Sequence, residues 1–225
     1  MKKLAVLVGA VVLTSSVFAQ RPVDSNPFSL EGGLSLNTTS NTFNAPMLKL
    51  RYFATENIAA RLGIQYNSSK TVDNYYGIGT DLNESADSLG TETTKNSSTW
   101  ISLGGSYHFS QLEKLSPYVA LDVMIGMGSE NIESSNYDGT GYSNGANSTE
   151  VSKNSGFGVG IGAGFDYYFA ENVFMGAELG FSFMSTKDKG GENTSGSTTV
   201  TVHPSGNASS FGNSATAAIR LGWRF

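Results

Sequence analysis

Residues 156–169 read Gly-Phe-Gly-Val-Gly-Ile-Gly-Ala-Gly-Phe-Asp-Tyr-Tyr-Phe. Phe157, Val159, Ile161, Ala163, Phe165, Tyr167 and Phe169 take every second place, with Gly158, Gly160, Gly162, Gly164, Asp166 and Tyr168 between them. A period of two puts the apolar series on one face of a strand and the small or polar series on the other. A helix would lose about 1 kcal/mol at each Gly relative to Ala. Two arrangements bury such a strand. In a soluble sandwich or lipocalin-like barrel, the apolar face points inward and the glycines meet water. In a membrane barrel, the apolar face meets lipid and the small face lines the interior. Water-facing strand positions favour Lys, Glu and Thr, whereas a narrow barrel interior needs small residues beside bulky ones. The glycines therefore favour the membrane barrel.

Working outward, Ala170-Glu171-Asn172 reads as a tight turn into a second alternating stretch, 173–183. There Val173, Met175, Ala177, Leu179, Phe181 and Phe183 oppose Phe174, Gly176, Glu178, Gly180 and Ser182. The same hairpin appears earlier, where Phe53-Ala54-Thr55-Glu56-Asn57 joins alternating stretches 47–54 and 58–66. Further stretches of this kind lie at 28–36, 100–109, 118–126 and 217–225, which makes eight strands. Short connections alternate with long polar ones at 67–99, 129–154 and 184–212. Compact soluble domains rarely hold several structureless loops beyond ~15 residues, whereas membrane barrels place short turns on one side and long loops on the other. The expectation is an all-β fold, an eight-stranded antiparallel up-and-down transmembrane β-barrel with short periplasmic turns and long extracellular loops.

The charges agree with this inside-out arrangement. Glu31, Asp122, Asp166 and Glu178, and Lys49, Arg51, Arg61, Arg220 and Arg224, all fall on the face opposite the apolar series. Charge withdrawn from water must be paired, or it costs several kcal/mol per ion. Glu178, Arg220 and Glu31 come from neighbouring strands at similar heights, so they are expected to centre an interior ion network. Tyr52, Tyr107, Phe109, Tyr167, Phe169, Trp223 and Phe225 gather near the short-turn rim. Tyr66, Phe157, Phe181 and Phe183 gather near the other, as interfacial girdles would.

Composition fits. Charged residues make up 15% of the 225, against roughly 25% in soluble chains, while Gly supplies 27 and Cys none. A net charge of -5 leaves no electrostatic footprint for nucleic acid, and the lack of Cys removes any catalytic thiol or thiolate metal site. The N-terminus carries Lys2-Lys3, an apolar run from Leu4 to Leu13, and Val17-Phe18-Ala19. That run is far short of the ~20 residues a spanning helix needs, so residues 1–19 read as a signal peptide and 20–225 as the barrel domain.

In these features the chain resembles the small eight-stranded outer-membrane barrels of Gram-negative bacteria, the OmpA/OmpX-like group. The resemblance rests on the signal ending Val17-Phe18-Ala19, the alternating strands, the two Phe-Ala-(Thr)-Glu-Asn turns and the terminal Arg220-Leu221-Gly222-Trp223-Arg224-Phe225. It implies a place in the cell outer membrane, outer-membrane lipid as partner, and a terminal strand read by the barrel assembly machinery, with Phe225 as key residue. One departure stands out: the full-length OmpA type continues into a periplasmic peptidoglycan-binding domain, and no such domain follows here. Anchoring to the cell wall through one is not expected.

The catalytic inventory is thin, and no enzyme activity, cofactor or metal is expected. His108 falls near a short-turn rim, and His203 lies in a Ser/Thr-rich loop with nothing to set it against a nucleophile and an acid. Asp122 and Glu178 suit ion pairing better than acid–base work. No phosphate-loop, dinucleotide, calcium or zinc spacing is present, the Gly-alternating run being strand throughout. The long loops hold Asp73, Asp81, Glu84, Asp87, Glu92, Glu130, Glu133, Asp138 and Glu150 against Lys70, Lys95 and Lys153. Such segments bind divalent cations or stay hydrated above an anionic surface, and they are where an extracellular ligand or host surface would be met. The function expected is structural or surface-interacting; the alternative is a small porin-like channel, for which the interior glycines would leave free space.

Overall fold

In the computed structural model, the described residues are 26–37, 42–76, 89–109, 114–195, 198–203, 205–211 and 216–225. The signal-peptide expectation for 1–19 lies outside them. The strands are β1 (Phe28–Asn37), β2 (Thr42–Phe53), β3 (Ile58–Tyr76), β4 (Leu89–His108) and β5 (Leu115–Ser135). They continue as β6 (Ser148–Ala170), β7 (Val173–Ser195), β8 (Thr198–His203), β9 (Gly206–Phe211) and β10 (Thr216–Arg224). Each pairs antiparallel with the next from β1 to β7. β10 then pairs with both β7 and β1, which closes the sheet into a ring.

β8, β9 and β10 all lie against β7, at Gly191–Ser195, Phe183–Asp188 and Val173–Gly180 respectively. They are successive pieces of one interrupted eighth barrel strand. The result is an eight-stranded antiparallel transmembrane barrel. Its faces are inverted relative to a soluble protein: Leu103, Ile161 and Leu179 on the outside are 60–64% exposed, while Arg51, Arg61 and Asp166 on the inside are 0–2% exposed.

The short turns are held by their Asn residues. Thr55 Oγ1 accepts from the Ile58 amide at 3.1 Å, and Asn57 Nδ2 donates to the His108 carbonyl at 2.6 Å, tying the turn to the end of β4. Asn172 sits at φ +62°, a left-handed conformation that Asn tolerates well. Its carbonyl accepts from the Arg224 amide at 2.7 Å, and its side chain accepts from Asn26 Nδ2 at 3.0 Å. The repeated acid-Asn turn thus stitches each hairpin to the strand beside it. At the seam, Phe28 and Phe225 exchange backbone hydrogen bonds at 3.0 and 2.8 Å. On the lipid side, the Phe28 ring packs at 5.1 Å from Tyr52 and 6.1 Å from Phe225, and Trp223 lies 5.0 Å from Phe225, forming part of the lower girdle.

The long connections depart from their sequence reading. β3 and β4 stay paired up to Tyr76↔Leu89, β5 and β6 up to Ser134↔Ser148, and β7 runs to Ser195. Ser116, read as part of a connection, already belongs to β5. A tilted strand needs only about 9–11 residues to cross a bilayer, and β6 and β7 each have 23. The surplus forms walls rising beyond the membrane. Both faces of those walls are wet, so no apolar alternation marks them. Where they end, Tyr75 stacks on Tyr137 at 4.0 Å, joining one hairpin to the next.

Lys95 and Glu133 pair across the outer face of this extension at 2.8 Å, and the Lys95 hydrogen bond holds the Glu133 carboxyl below the usual carboxylate range. A group shifted down stabilises the fold only above its folded-state pKa, and water screens this half-exposed pair. Glu133→Gln is therefore expected to leave the urea unfolding midpoint at neutral pH unchanged. A clear downward shift would show the extension to be coupled to the barrel core.

Candidate functional site

From the periplasmic end upward, the interior is built in layers. The lowest is aromatic: Phe53, His108, Tyr118, Tyr168 and Phe174 point inward and are buried. The Phe53 and His108 rings are 5.3 Å apart, His108 and Tyr118 5.0 Å, and Tyr168 and Phe174 5.4 Å. Sequence reading placed these residues on the inward face without foreseeing that they gather. The signal was available, since each falls on the polar side of the alternation at the short-turn end of its strand.

Guanidinium groups lie on this aromatic layer. Arg51 sits over Phe174 at 5.1 Å and Phe53 at 5.6 Å, Arg220 over Tyr118 at 5.3 Å, and Arg224 over Phe53 at 4.1 Å. Such desolvated cation–π contacts are worth up to about 2 kcal/mol each.

Directly above, four side chains close a ring. Arg51 Nη1 donates to Asp166 at 2.7 Å and Nη2 to Glu31 at 2.9 Å. Arg220 Nη1 donates to Glu31 at 2.6 Å and Nη2 to Asp166 at 2.9 Å. Each guanidinium bridges both carboxylates, a use of its forked donors that Lys cannot reproduce. All four side chains are 0–1% exposed.

A second cluster lies beside it. Arg61 Nη2 reaches both Glu178 oxygens at 3.0 Å and Asp122 at 3.2 Å, while Lys49 Nζ meets Glu178 at 3.3 Å. Tyr118 Oη donates to Glu178 at 2.5 Å. The expected network is therefore present with a different partition. Arg220 does meet Glu31, but its second partner is Asp166, and Glu178 belongs with Lys49 and Arg61. The register explains why. Arg220 lies opposite Gly176, and Gly176 opposite Asp166, so the two charges meet across the bare glycine. Arg61, Gly104 and Asp122 repeat this arrangement.

The interior glycines are consequently occupied space. A Cβ on Gly176 would lie 2.7 Å from Arg220 Nη2, and one on Gly164 2.7 Å from Tyr118 Oη. At Gly222 it would clash with the Phe174 ring, and at Gly104 with the Asp122 carboxylate. At these positions the space beside the glycine is taken by neighbouring side chains.

The residues weighed for catalysis are accounted for as follows. Asp122 and Glu178 are ion-pair partners. His108 is fully buried, with Nδ1 2.8 Å from Ser116 Oγ and Nε2 3.3 Å from Ser106 Oγ. Both hydroxyls are buried as well, so the Ser–His contact faces no open surface. His203 closes β8, and its side chain lies outside the described residues.

Above the charged layers the barrel opens into a polar cup of about 640 Å³, with Asn67, Ser69, Asn96, Ser98, Glu130 and Asn154 among its walls. These side chains come from the extended parts of β3 to β6, the segments that sequence reading had assigned to loops.

Among curated proteins, none matches this sequence. Solved structures do. A major outer membrane protein from Thermus thermophilus matches at 18% identity and a TM-score of 0.48, over 89% of this chain and 100% of that chain. The N-terminal β-barrel domain of Pseudomonas aeruginosa OprF matches at 18% identity and a TM-score of 0.32, over 88% of this chain and 96% of that one. Ail, the attachment invasion locus protein of Yersinia pestis, matches at 12% identity and a TM-score of 0.40, over 88% and 95%. The family model described as "Putative OmpA-OmpF-like porin family" matches residues 34–189, from within β1 to within β7. Spanning well over half of the sequence and nearly the whole circuit of the barrel, that match places the chain in the OmpA-OmpF-like porin family, as an integral β-barrel of the bacterial outer membrane.

Proposed function

We propose that this barrel has a structural and surface-interaction role, is closed to the passage of ions and solutes, and is not an enzyme. The observation that carries the reading is the closed ring Arg51–Glu31–Arg220–Asp166 resting on the buried aromatic layer. An eight-stranded interior has just enough width for its side chains, and this ring occupies it with groups held from two sides each. Conduction would require several buried charge-assisted bonds to break together. Planar-bilayer recording of the purified protein tests the reading: no steady conductance is expected, and reproducible stepwise openings would establish the channel instead.

The non-enzymatic part draws support from the burial of His108, Ser106 and Ser116, which leaves their contact without access to a substrate. The expected partners are the surrounding lipid, an extracellular ligand or host surface met by the projecting walls, and the assembly machinery. For the last, the terminal aromatic that follows β10 is the recognised feature. Phe225→Ala keeps both backbone bonds to Phe28 and removes only the ring. It is expected to reduce the heat-modifiable barrel form several-fold in cells while refolding from urea into lipid vesicles proceeds normally. Unchanged cellular levels would remove Phe225 from that role.

A further inference from the structure

The projecting walls sort their charges by face. Continuous register places Asp73, Glu92, Glu130, Glu150 and Asp188 on the inward side. The outward side carries Lys70, Lys95, Lys153 and Lys187 beside Glu133 and Glu192. On β6 and β7 these lysines stand at the same distance above the last aromatic of their own strand. The outward series of β6 runs Phe157, Ser155, Lys153, and that of β7 runs Phe183, Ser185, Lys187. Phe157 and Phe183 are themselves open to lipid, 50% and 41% exposed. Four residues of strand rise about 13 Å. A tilt of about 35–45° lowers that to about 10 Å along the membrane normal. The headgroup layer is about 5–7 Å deep on each side, and a flexible Lys stem reaches back toward it. The ammonium groups therefore fall at the level of the outer-leaflet headgroups.

A bulge in β7 adds a third cation at this height. Between Asn154↔Asp188 and Ser152↔Gly191, the two residues Lys189 and Gly190 stand opposite the single Lys153. Gly190 takes φ +86°, and its amide donates to Asp188 Oδ1 at 2.9 Å, which fixes the bulge. Lys153 and Lys189 line a cleft of about 300 Å³ there, with Glu192 and Ser205. Lys153, Lys187 and Lys189 are all exposed, and among the described residues none of them has an ion-pair partner. Like charges set across neighbouring strands repel, so the fold gains nothing from gathering them.

We infer that the outer face of β6 and β7 at this bulge is a docking surface for an outer-leaflet lipid with a phosphate monoester headgroup. The phosphate sits among Lys153, Lys187 and Lys189, and the acyl chains run down past Phe157 and Phe183. Three ammonium groups against the one carboxylate of Glu192 leave two positive charges, which match the charge of about -1.5 to -2 on a phosphate monoester at neutral pH. Each ammonium is a point charge with three donors, suited to phosphate oxygens approached from more than one strand. A lipid is favoured over a soluble anion because the cationic patch continues directly into the lipid face. The inference makes the expected lipid partner specific and rests only on the barrel's place in the outer membrane with its walls outside. It stands whether or not the barrel conducts, so conductance tests the closed interior and lipid preference tests this surface.

The folded protein in neutral detergent micelles is titrated with dioleoyl lipids, and bound lipid is counted by native mass spectrometry. Dioleoyl phosphatidic acid, a phosphate monoester, is expected to bind at least about tenfold more tightly than dioleoyl phosphatidylcholine, at about fivefold per lysine engaged. Lys153→Gln together with Lys187→Gln and Lys189→Gln should abolish that preference. Lys70→Gln together with Lys95→Gln, which alters exposed lysines elsewhere on the outer face, should keep it. Equimolar inorganic phosphate should displace none of the bound lipid. Equal affinity for the two lipids overturns the inference. So does a preference that survives all three β6–β7 substitutions in a protein retaining its heat-modifiable form, or one lost equally when Lys70 and Lys95 are replaced. Displacement by inorganic phosphate would make the bound group a soluble anion and overturn it as well.

Discussion

Arg220→Leu is expected to lower the unfolding free energy of the barrel by about 3–5 kcal/mol, the cost of removing one member of a buried ion pair. Arg220 donates to Glu31 at 2.6 Å and Asp166 at 2.9 Å, and neither carboxylate has water to turn to. Arg51 stays bonded to both, which leaves two acids sharing one base. Leu also gives up the stacking of the guanidinium on Tyr118. Arg220→Lys should fall between the two, since a single ammonium is a point donor without the fork that spans both carboxylates. The measurement is the urea midpoint in lipid vesicles, where a fall of about 1 M or more is expected for Leu. An unchanged midpoint would mean that the ring contributes nothing net to stability and would remove the main physical support for a closed interior.

Gly176→Val is expected to destabilise by about 3 kcal/mol or more, although it deletes no interaction directly. The new Cβ would stand 2.6 Å from the Phe165 carbonyl oxygen, 2.7 Å from Arg220 Nη2 and 3.0 Å from Asp166 Oδ1. Overpacking alone costs about 1–3 kcal/mol, and here the only movable neighbours are two side chains already held by ion pairs. Separating them leaves buried charge unpaired. Gly32→Val supplies the contrast. Gly32 belongs to the outward series of β1, and a Cβ there meets nothing within 4 Å. Replacing Gly with a β-branched residue at an open strand position should leave stability unchanged or raise it by up to about 1 kcal/mol. Equal effects at the two positions would refute the view that inward glycines are spaces kept for neighbouring side chains.

The contrast between these glycines marks how far the sequence could be read. Period-two alternation located eight strands, because a bilayer imposes one chemical environment on every lipid-facing position from Leu30 to Leu221. It also put Phe53, Tyr118 and Phe174 on the inner face. The alternation is silent about where strands end once both faces meet water. Residues 67–76 and 89–99 therefore looked like loop, yet they pair in continuous register from Asn67↔Ser98 to Tyr76↔Leu89. Serine and threonine pairs such as Ser97 and Ser129, whose hydroxyls lie 3.0 Å apart, hold such walls without leaving an apolar pattern. The walls of the cup come from those stretches and from the matching parts of β5 and β6, so the cup was invisible in the sequence.

The sequence alone was sufficient for the inside-out character of the fold, since every charge within the eight alternating stretches falls opposite the apolar series, and desolvation leaves only an interior to receive them. It could also say that those charges pair. Which charge meets which was decided by the tertiary structure. A partner two strands away depends on the stagger of the closed sheet, and a one-residue slip would turn each side chain to the other face. Closure sets Arg220 level with Gly176 and Asp166, and Arg61 level with Gly104 and Asp122. Two of the inward glycines, Gly176 and Gly104, are the places where opposite charges touch.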